Sequence, residues 1–441
     1  MLDLIGIFLG TTAIIRRKVA FTLFLINIYY YTFWFFGSST SNFLFTHNCS
    51  DVGNLLCLML VFILFHRKYR NGIKIKAIQT GVITFLLFFA FTLAIDITVN
   101  HTPFISIFKA IRQWIPLSLL FVCNRIKPKE GYLYFRYLIV FTLCFSTIYI
   151  FEYFTNISLT GAIRTMDGAR ASLPWPVALL CFSLLLFNRM GFSRIFVFVF
   201  LLILLTNLVF CGSRSFFISY MAIFALYYIG KRFSVKKLMT LAAATCALFV
   251  IFNTDNILSQ RFNDSRSDIE GLREGDMEVN GNLSFRLLLT KERLDYVTSS
   301  WQYTLFGIGQ IEEKNIKHEI FHIGLIRDDG MVYQVDTGDI AWPIAFLRWG
   351  ILGTIIYLVF FYYRFFHYFF QRRNFFIARS IAYYLIVEIS LVSFTYPEIT
   401  FPWYWYPAII SLACFDYIPT PKKIVHYLLP RKQKSHTYGN E

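Results

Sequence analysis

Residues 253–339 read NTDNILSQRFNDSRSDIEGLREGDMEVNGNLSFRLLLTKERLDYVTSSWQYTLFGIGQIEEKNIKHEIFHIGLIRDDGMVYQVDTGD. The stretch holds most of the chain's acidic residues and cannot lie in hydrocarbon. On both sides the sequence turns into Phe-, Leu- and Ile-rich runs long enough to cross a bilayer. The contrast predicts an all-α polytopic membrane protein, with 253–339 as one large, late, external (periplasmic) loop containing short helices.

Composition points the same way. Of the 441 residues 56% are hydrophobic and 15% charged, and the mean hydropathy is +0.54, far from the balance of a soluble domain. The formal charge of +16 raises the question of nucleic acid. Most Lys and Arg sit in short loops between apolar runs, however, where they orient a membrane protein, and no nucleic-acid partner is expected. The eight cysteines show no CxxC or Cys/His metal spacing and no disulfide framework. Met1–Ile15 precedes Arg16-Arg17-Lys18, the reverse of a signal peptide, and is expected to stay as an interfacial segment.

Working outward from the large loop, apolar runs alternate with basic loops to give about twelve helices with both ends inside. The expected division is 1–252 as transmembrane helices with a second external loop at 155–172, 253–339 as the cap, 340–418 as C-terminal transmembrane helices and 419–441 as a basic cytoplasmic tail. Val19–Phe36, Asn54–Phe65, Ala77–Asp96, Phe104–Cys123, Tyr132–Phe154, Leu173–Asn188, Ile195–Cys211, Phe216–Gly230 and Leu238–Phe252 precede the cap. Ile340–Tyr363, Phe375–Tyr396 and Trp403–Ile418 follow it. A β-barrel would alternate over strands of about ten residues instead.

Some cations break this pattern. Lys109, Arg112, Arg214 and Arg348 fall inside or at the ends of spans, where a cation costs roughly 2.5–3.5 kcal/mol on insertion scales and usually faces a partner or a polar cavity. Arg164, Arg170, Arg286, Arg293 and Arg327 share the outer side. Snorkelling and salt bridges to loop carboxylates would account for any one of them. An anionic ligand at the outer surface would account for them together, because arginine forks match the oxygens of a diphosphate.

Within the cap, Leu283–Trp301 reads as a helix that places Arg286 and Arg293 on one face. Leu305-Phe306-Gly307-Ile308-Gly309 ends it. His318 and His322 stand at helical spacing in HEIFH, which fits a zinc-helix pattern by letter but lacks a third ligand, and close glycines crowd it. A base for proton removal is the expected role for His318, His322, Asp336 or Asp339. No metal or other cofactor is expected.

Four features, in order, carry a resemblance. They are Cys-Gly-Ser-Arg-Ser from 211 to 215; Ile163-Arg164 through Gly168 ahead of Leu173-Pro174; Trp301 leading into Leu305–Gly309; and Asp339 ahead of Arg348-Trp349-Gly350-Ile351-Leu352-Gly353. In these the chain resembles the superfamily of O-antigen polymerases and O-antigen ligases, glycosyltransferases of the bacterial envelope. Ligases of that superfamily carry a His before the last Gly-x-x-Gly helix. Asp339 stands there here, which favours a polymerase, as does the Arg327/Gly338 spacing. The resemblance implies a multi-pass protein of the bacterial inner membrane acting on undecaprenyl-pyrophosphate-linked oligosaccharide at the periplasmic face, with a chain-length regulator protein as a further partner. The rival readings are the ligase and a lipid-linked oligosaccharide flippase.

Overall fold

The computed structural model describes residues 2–31, 50–67, 75–98, 101, 103–155, 177–229, 282–309, 321–323, 325–326, 332–333, 340–391 and 405–415, with scattered positions at 157–159, 239 and 253–270. Most of the external loop expected at 155–172 lies outside the described residues, as do most of the helix expected over Leu238–Phe252 and the tail 419–441.

Apolar runs become helices because a chain in hydrocarbon must satisfy its own N–H and C=O groups. α1 (Leu2–Ile15) and α2 (Val19–Tyr31) form a hairpin on which α3 (Ser50–Phe65) packs, followed by α4 (Lys76–Thr98). α5 (Phe104–Ile111) leads into a 3-10 helix over Arg112–Phe121 and then to α6 (Pro128–Thr155), α7 (Val177–Phe187), α8 (Arg194–Cys211) and α9 (Arg214–Ile229). The cap contributes α10 (Asn282–Thr298), α11 (Trp301–Phe306) and an antiparallel pair of two-residue strands, β1 (Leu325–Ile326) and β2 (Val332–Tyr333). α12 (Ala341–Ile356) continues through a π-helical turn, Tyr357–Tyr362, into α13 (Tyr363–Gln371); α14 (Phe376–Ser390) and α15 (Tyr406–Ser411) follow.

Among the described residues, four helices are long and apolar enough to cross a membrane: Lys76–Thr98, Pro128–Thr155, Arg194–Cys211 and Ala341–Gln371. Their outward faces are oily rather than polar. Ile195 is 77% exposed, and Leu87, Phe198 and Ile355 are exposed too. Several polar groups are turned inward and paired, as in a membrane protein. Asn27 donates to the Tyr134 hydroxyl at 3.2 Å, the Tyr30 hydroxyl donates to Asn54, and the Tyr406 hydroxyl donates to the Leu23 carbonyl at 2.9 Å. Ser183 and Ser380 exchange hydroxyl-to-carbonyl bonds at 3.1 and 3.3 Å. The chain is a helical membrane protein.

The run expected as one helix, Phe104–Cys123, takes two forms. α5 exposes Phe104, Ile105 and Phe108. Beyond it Pro116, which has no N–H, sits inside the 3-10 helix, where an α-helix would need a bond to the Arg112 carbonyl. This segment runs alongside α3 in the same direction. Arg112 pairs with Asp51 at 2.9 Å, the Cys57 thiol lies 3.9 Å from the Ser118 hydroxyl, and Arg125 donates to the Leu64 carbonyl at 3.2 Å. Each of these rungs joins residues 61 apart in sequence.

Candidate functional site

The cap meets the membrane helices at a break in α12. Gly350 leaves the helical course there with φ 62° and ψ −170°, a conformation open essentially to glycine alone. The Ile308 N–H donates to the Leu347 carbonyl at 2.8 Å, and the Gly309 N–H donates to the Arg348 carbonyl at 3.2 Å. The turn from Gly307 to Gly309 thus supplies donors to the backbone just before the break. Gly307, at φ 72° and ψ −172°, closes α11 and lies so near that a Cβ would strike the Arg348 backbone. A Cβ on Gly350 would strike Leu305 in turn.

Arg348 is the cation of this junction. Only 6% exposed, it folds back so that its guanidinium donates to the Gly309 carbonyl at 3.3 Å. The carboxylate of Asp96 also lies against Gly309, in the space a Cβ would need. Asp96 is 2% exposed, in the last turns of α4. Trp114 and Trp349 have ring centroids 6.1 Å apart, so the 3-10 helix carrying Arg112 flanks the same break. Arg112 itself is committed to Asp51.

α10 lies on the first half of α12. Leu289 packs with Ile340 and Ile344, and Val297 packs with Ile308, Phe321 and Leu347. Arg293 is wholly buried beneath it, ion-paired with Glu292 and lying 4.6 Å over the Phe321 ring. Glu292 also accepts from the backbone N–H of His322 at 2.6 Å and of Ile323 at 3.2 Å. One carboxylate therefore gathers a guanidinium and two peptide donors, pinning the strand-bearing part of the cap to α10. A ligand phosphate at Arg293 would have to displace Glu292. Further out, burial and the neighbouring Tyr303 push the Tyr296 phenol up to about 12; the two rings stack at 5.5 Å.

The remaining expected site residues divide as follows. Arg286 is half-buried on α10, and Arg214, also half-buried, opens α9 just after the left-handed Gly212 that ends α8. His322 has an exposed ring. Lys109 lies on α5, its side chain outside the described set. Asp336, Asp339, His318, Arg164, Arg170 and Arg327 lie outside the described residues. The structure thus joins Arg348 to the Leu305–Gly309 turn, two features separate in sequence. It adds Asp96, which sequence reasoning passed over, and it gives Arg293 the loop-carboxylate partner that was the alternative to a phosphate, Glu292. The signal was present in Asp96, a lone carboxylate closing an apolar run.

No protein-family model matches the chain, and no curated protein does either.

Proposed function

We propose that the protein is a polysaccharide polymerase of the bacterial inner membrane, a metal-independent glycosyltransferase that uses undecaprenyl-pyrophosphate-linked oligosaccharide repeat units. In this reading about twelve helices cross the bilayer and the cap faces the periplasm. The acceptor hydroxyl of one unit attacks the anomeric carbon of the chain held on another carrier. The new glycosidic bond forms as the bond to undecaprenyl pyrophosphate breaks, and the hydroxyl proton passes to a cap base, for which Asp336, Asp339, His318 and His322 are the candidates. Positive charge around the departing diphosphate and placement of the two sugars supply the catalysis.

One observation carries the reading. The Leu305–Gly309 turn and the Arg348–Gly350 break, two of the features on which the family resemblance rests, are a single interlocked unit with a buried arginine at its centre. Such a unit places a cation where the cap closes on the membrane helices, as a lipid-borne diphosphate requires. The test is deletion of the gene in its host followed by inspection of surface polysaccharide. Loss of long chains with single repeat units retained is the expected result. Loss of all attached glycan instead would make the protein a ligase, and unchanged glycan would end the proposal.

A further inference from the structure

At the opposite end of the helices from the cap junction, the turn between α7 and α8 forms a cavity of about 460 Å³ lined by Leu185, Phe187, Asn188, Arg189, Gly191 and Phe192. The turn is built tightly: Met190 and Gly191 both take positive φ, 52° and 76°, and the Met190 N–H is fixed by the Asn188 side chain at 2.9 Å. Its two aromatic walls each carry an arginine from another helix. The Arg136 guanidinium of α6 stands 4.9 Å over Phe192, and that of Arg379 from α14 stands 5.5 Å over Phe187. Arg189 is an exposed wall residue, and Arg194 begins α8. Among the described residues no carboxylate pairs with any of these four arginines.

Cations gathered around one turn, with no carboxylate among the described residues to pair them, repel one another, and an anion at the turn relieves that repulsion. Arg379 keeps one donor on the Arg373 carbonyl at 2.7 Å. Arg forks select phosphate oxygens. The surroundings point to an anion carried on a lipid. The cavity opens where apolar helices end, and from it α8 runs away with Ile195, Phe198, Val199 and Leu202 exposed along one side, a surface for acyl chains. Basic pockets between helix ends are the usual seats of anionic headgroups.

We propose that this cavity binds the phosphate headgroup of an anionic phospholipid, with Arg136, Arg189 and Arg379 as its ligands and the exposed side of α8 along the acyl chains. The inference needs the protein to be in a membrane but does not depend on the polymerase reading.

The test uses the full-length protein, purified and equilibrated with equal amounts of phosphatidylglycerol and phosphatidylcholine of the same acyl chains, with retained lipid counted by native mass spectrometry. The wild type should keep phosphatidylglycerol in preference. Arg189→Gln, at an exposed position where folding is not at stake, should cut that preference severalfold, and R136Q/R189Q/R379Q by about tenfold or more. The control R16Q/R17Q, two exposed arginines in the α1–α2 turn outside the cavity, should leave it unchanged. If the control loses as much as R189Q, diffuse surface charge holds the lipid and the site is refuted. If inorganic phosphate at millimolar level strips the lipid from the wild type, the cavity serves a soluble anion and the lipid assignment falls.

Discussion

The guanidinium of Arg348 donates to the carbonyl of Gly309 at 3.3 Å, while the N–H of Gly309 donates back to the carbonyl of Arg348 at 3.2 Å. Two residues far apart in sequence thus hold each other through backbone and side chain at once. An arginine held this way has little rotamer entropy left to lose when a ligand arrives.

Substitution of Arg348 should separate a chemical role from a structural one. Arg348→Ala is expected to lower polymer formation at least tenfold, and Arg348→Lys to restore little, since one ammonium cannot both hold the Gly309 carbonyl and present a fork. Polysaccharide ladders at matched protein abundance in membranes decide the matter. A fall in abundance parallel to activity would assign Arg348 to the fold alone.

The Asp96 carboxylate and the Gly309 Cα share one small space. Gly309→Ala must displace the carboxylate or the turn and force an alanine into φ 82°, for about 1–3 kcal/mol of local strain. The cap turn should then detach from α12 and become cleavable by added protease in outer-membrane-stripped cells, while α4 and α12 stay inserted. Unchanged protease resistance would mean that the turn is held elsewhere.

Arg293 and Arg286, equal candidates by spacing, should behave differently. Removing Arg293 leaves the Glu292 carboxylate without its buried guanidinium, a loss of about 3 kcal/mol. Arg293→Ala should therefore reduce the amount of protein, whereas Arg286→Ala should leave it unchanged. Pulse-chase half-lives of the two variants test this. Equal half-lives would show that the Glu292 network adds nothing to stability.

The Arg112–Asp51 pair offers a charge-swap test. If Arg112 serves the fold, Asp51→Asn should harm abundance as Arg112→Gln does, and the exchange D51R/R112D should recover part of it. If Arg112 instead holds the diphosphate, the exchange stays inactive although the protein accumulates.

Alkaline titration gives a prediction for the cap. Burial and the neighbouring Tyr303 disfavour the Tyr296 phenolate and push this phenol up from 10 to about 12. A raised acid keeps its proton in the folded cap after the unfolded chain has lost it. Its contribution to stability is therefore complete below about pH 10 and is lost as pH rises toward 12. Phenolate absorbance of wild type against Tyr296→Phe should show one late-titrating group absent from the variant; identical curves would refute it.

Much of the helical framework was legible because apolar runs have sharp ends. Ile195–Cys211 was expected and Arg194–Cys211 found; Ala77–Asp96 became Lys76–Thr98. In the cap, the helix expected over Leu283–Trp301 stops at Thr298 and restarts at Trp301. What hydropathy could not express was backbone geometry at constant oiliness. Phe104–Cys123 is uniformly apolar whether α or 3-10, and Gly350 sits in a run, Trp349-Gly350-Ile351-Leu352, that reads as ordinary helix. The site was legible only in halves. Gly307, Gly309 and Arg348 each stood out, but their mutual bonding is a long-range fact, and Asp96 was passed over because its sign matched no phosphate.

The matched course of α3 and the 3-10 helix limits how this gene can change length. Because Asp51, Cys57 and Leu64 face partners at one constant offset, adding or removing a single codon between Arg112 and Arg125 would shift at least one rung out of register. It would leave either the Arg112 or the Arg125 guanidinium without its partner on α3. Single-codon insertions should therefore be purged from this segment in a random library, even where the inserted residue is leucine, while point replacements of Leu119 or Leu120 by other apolar residues persist.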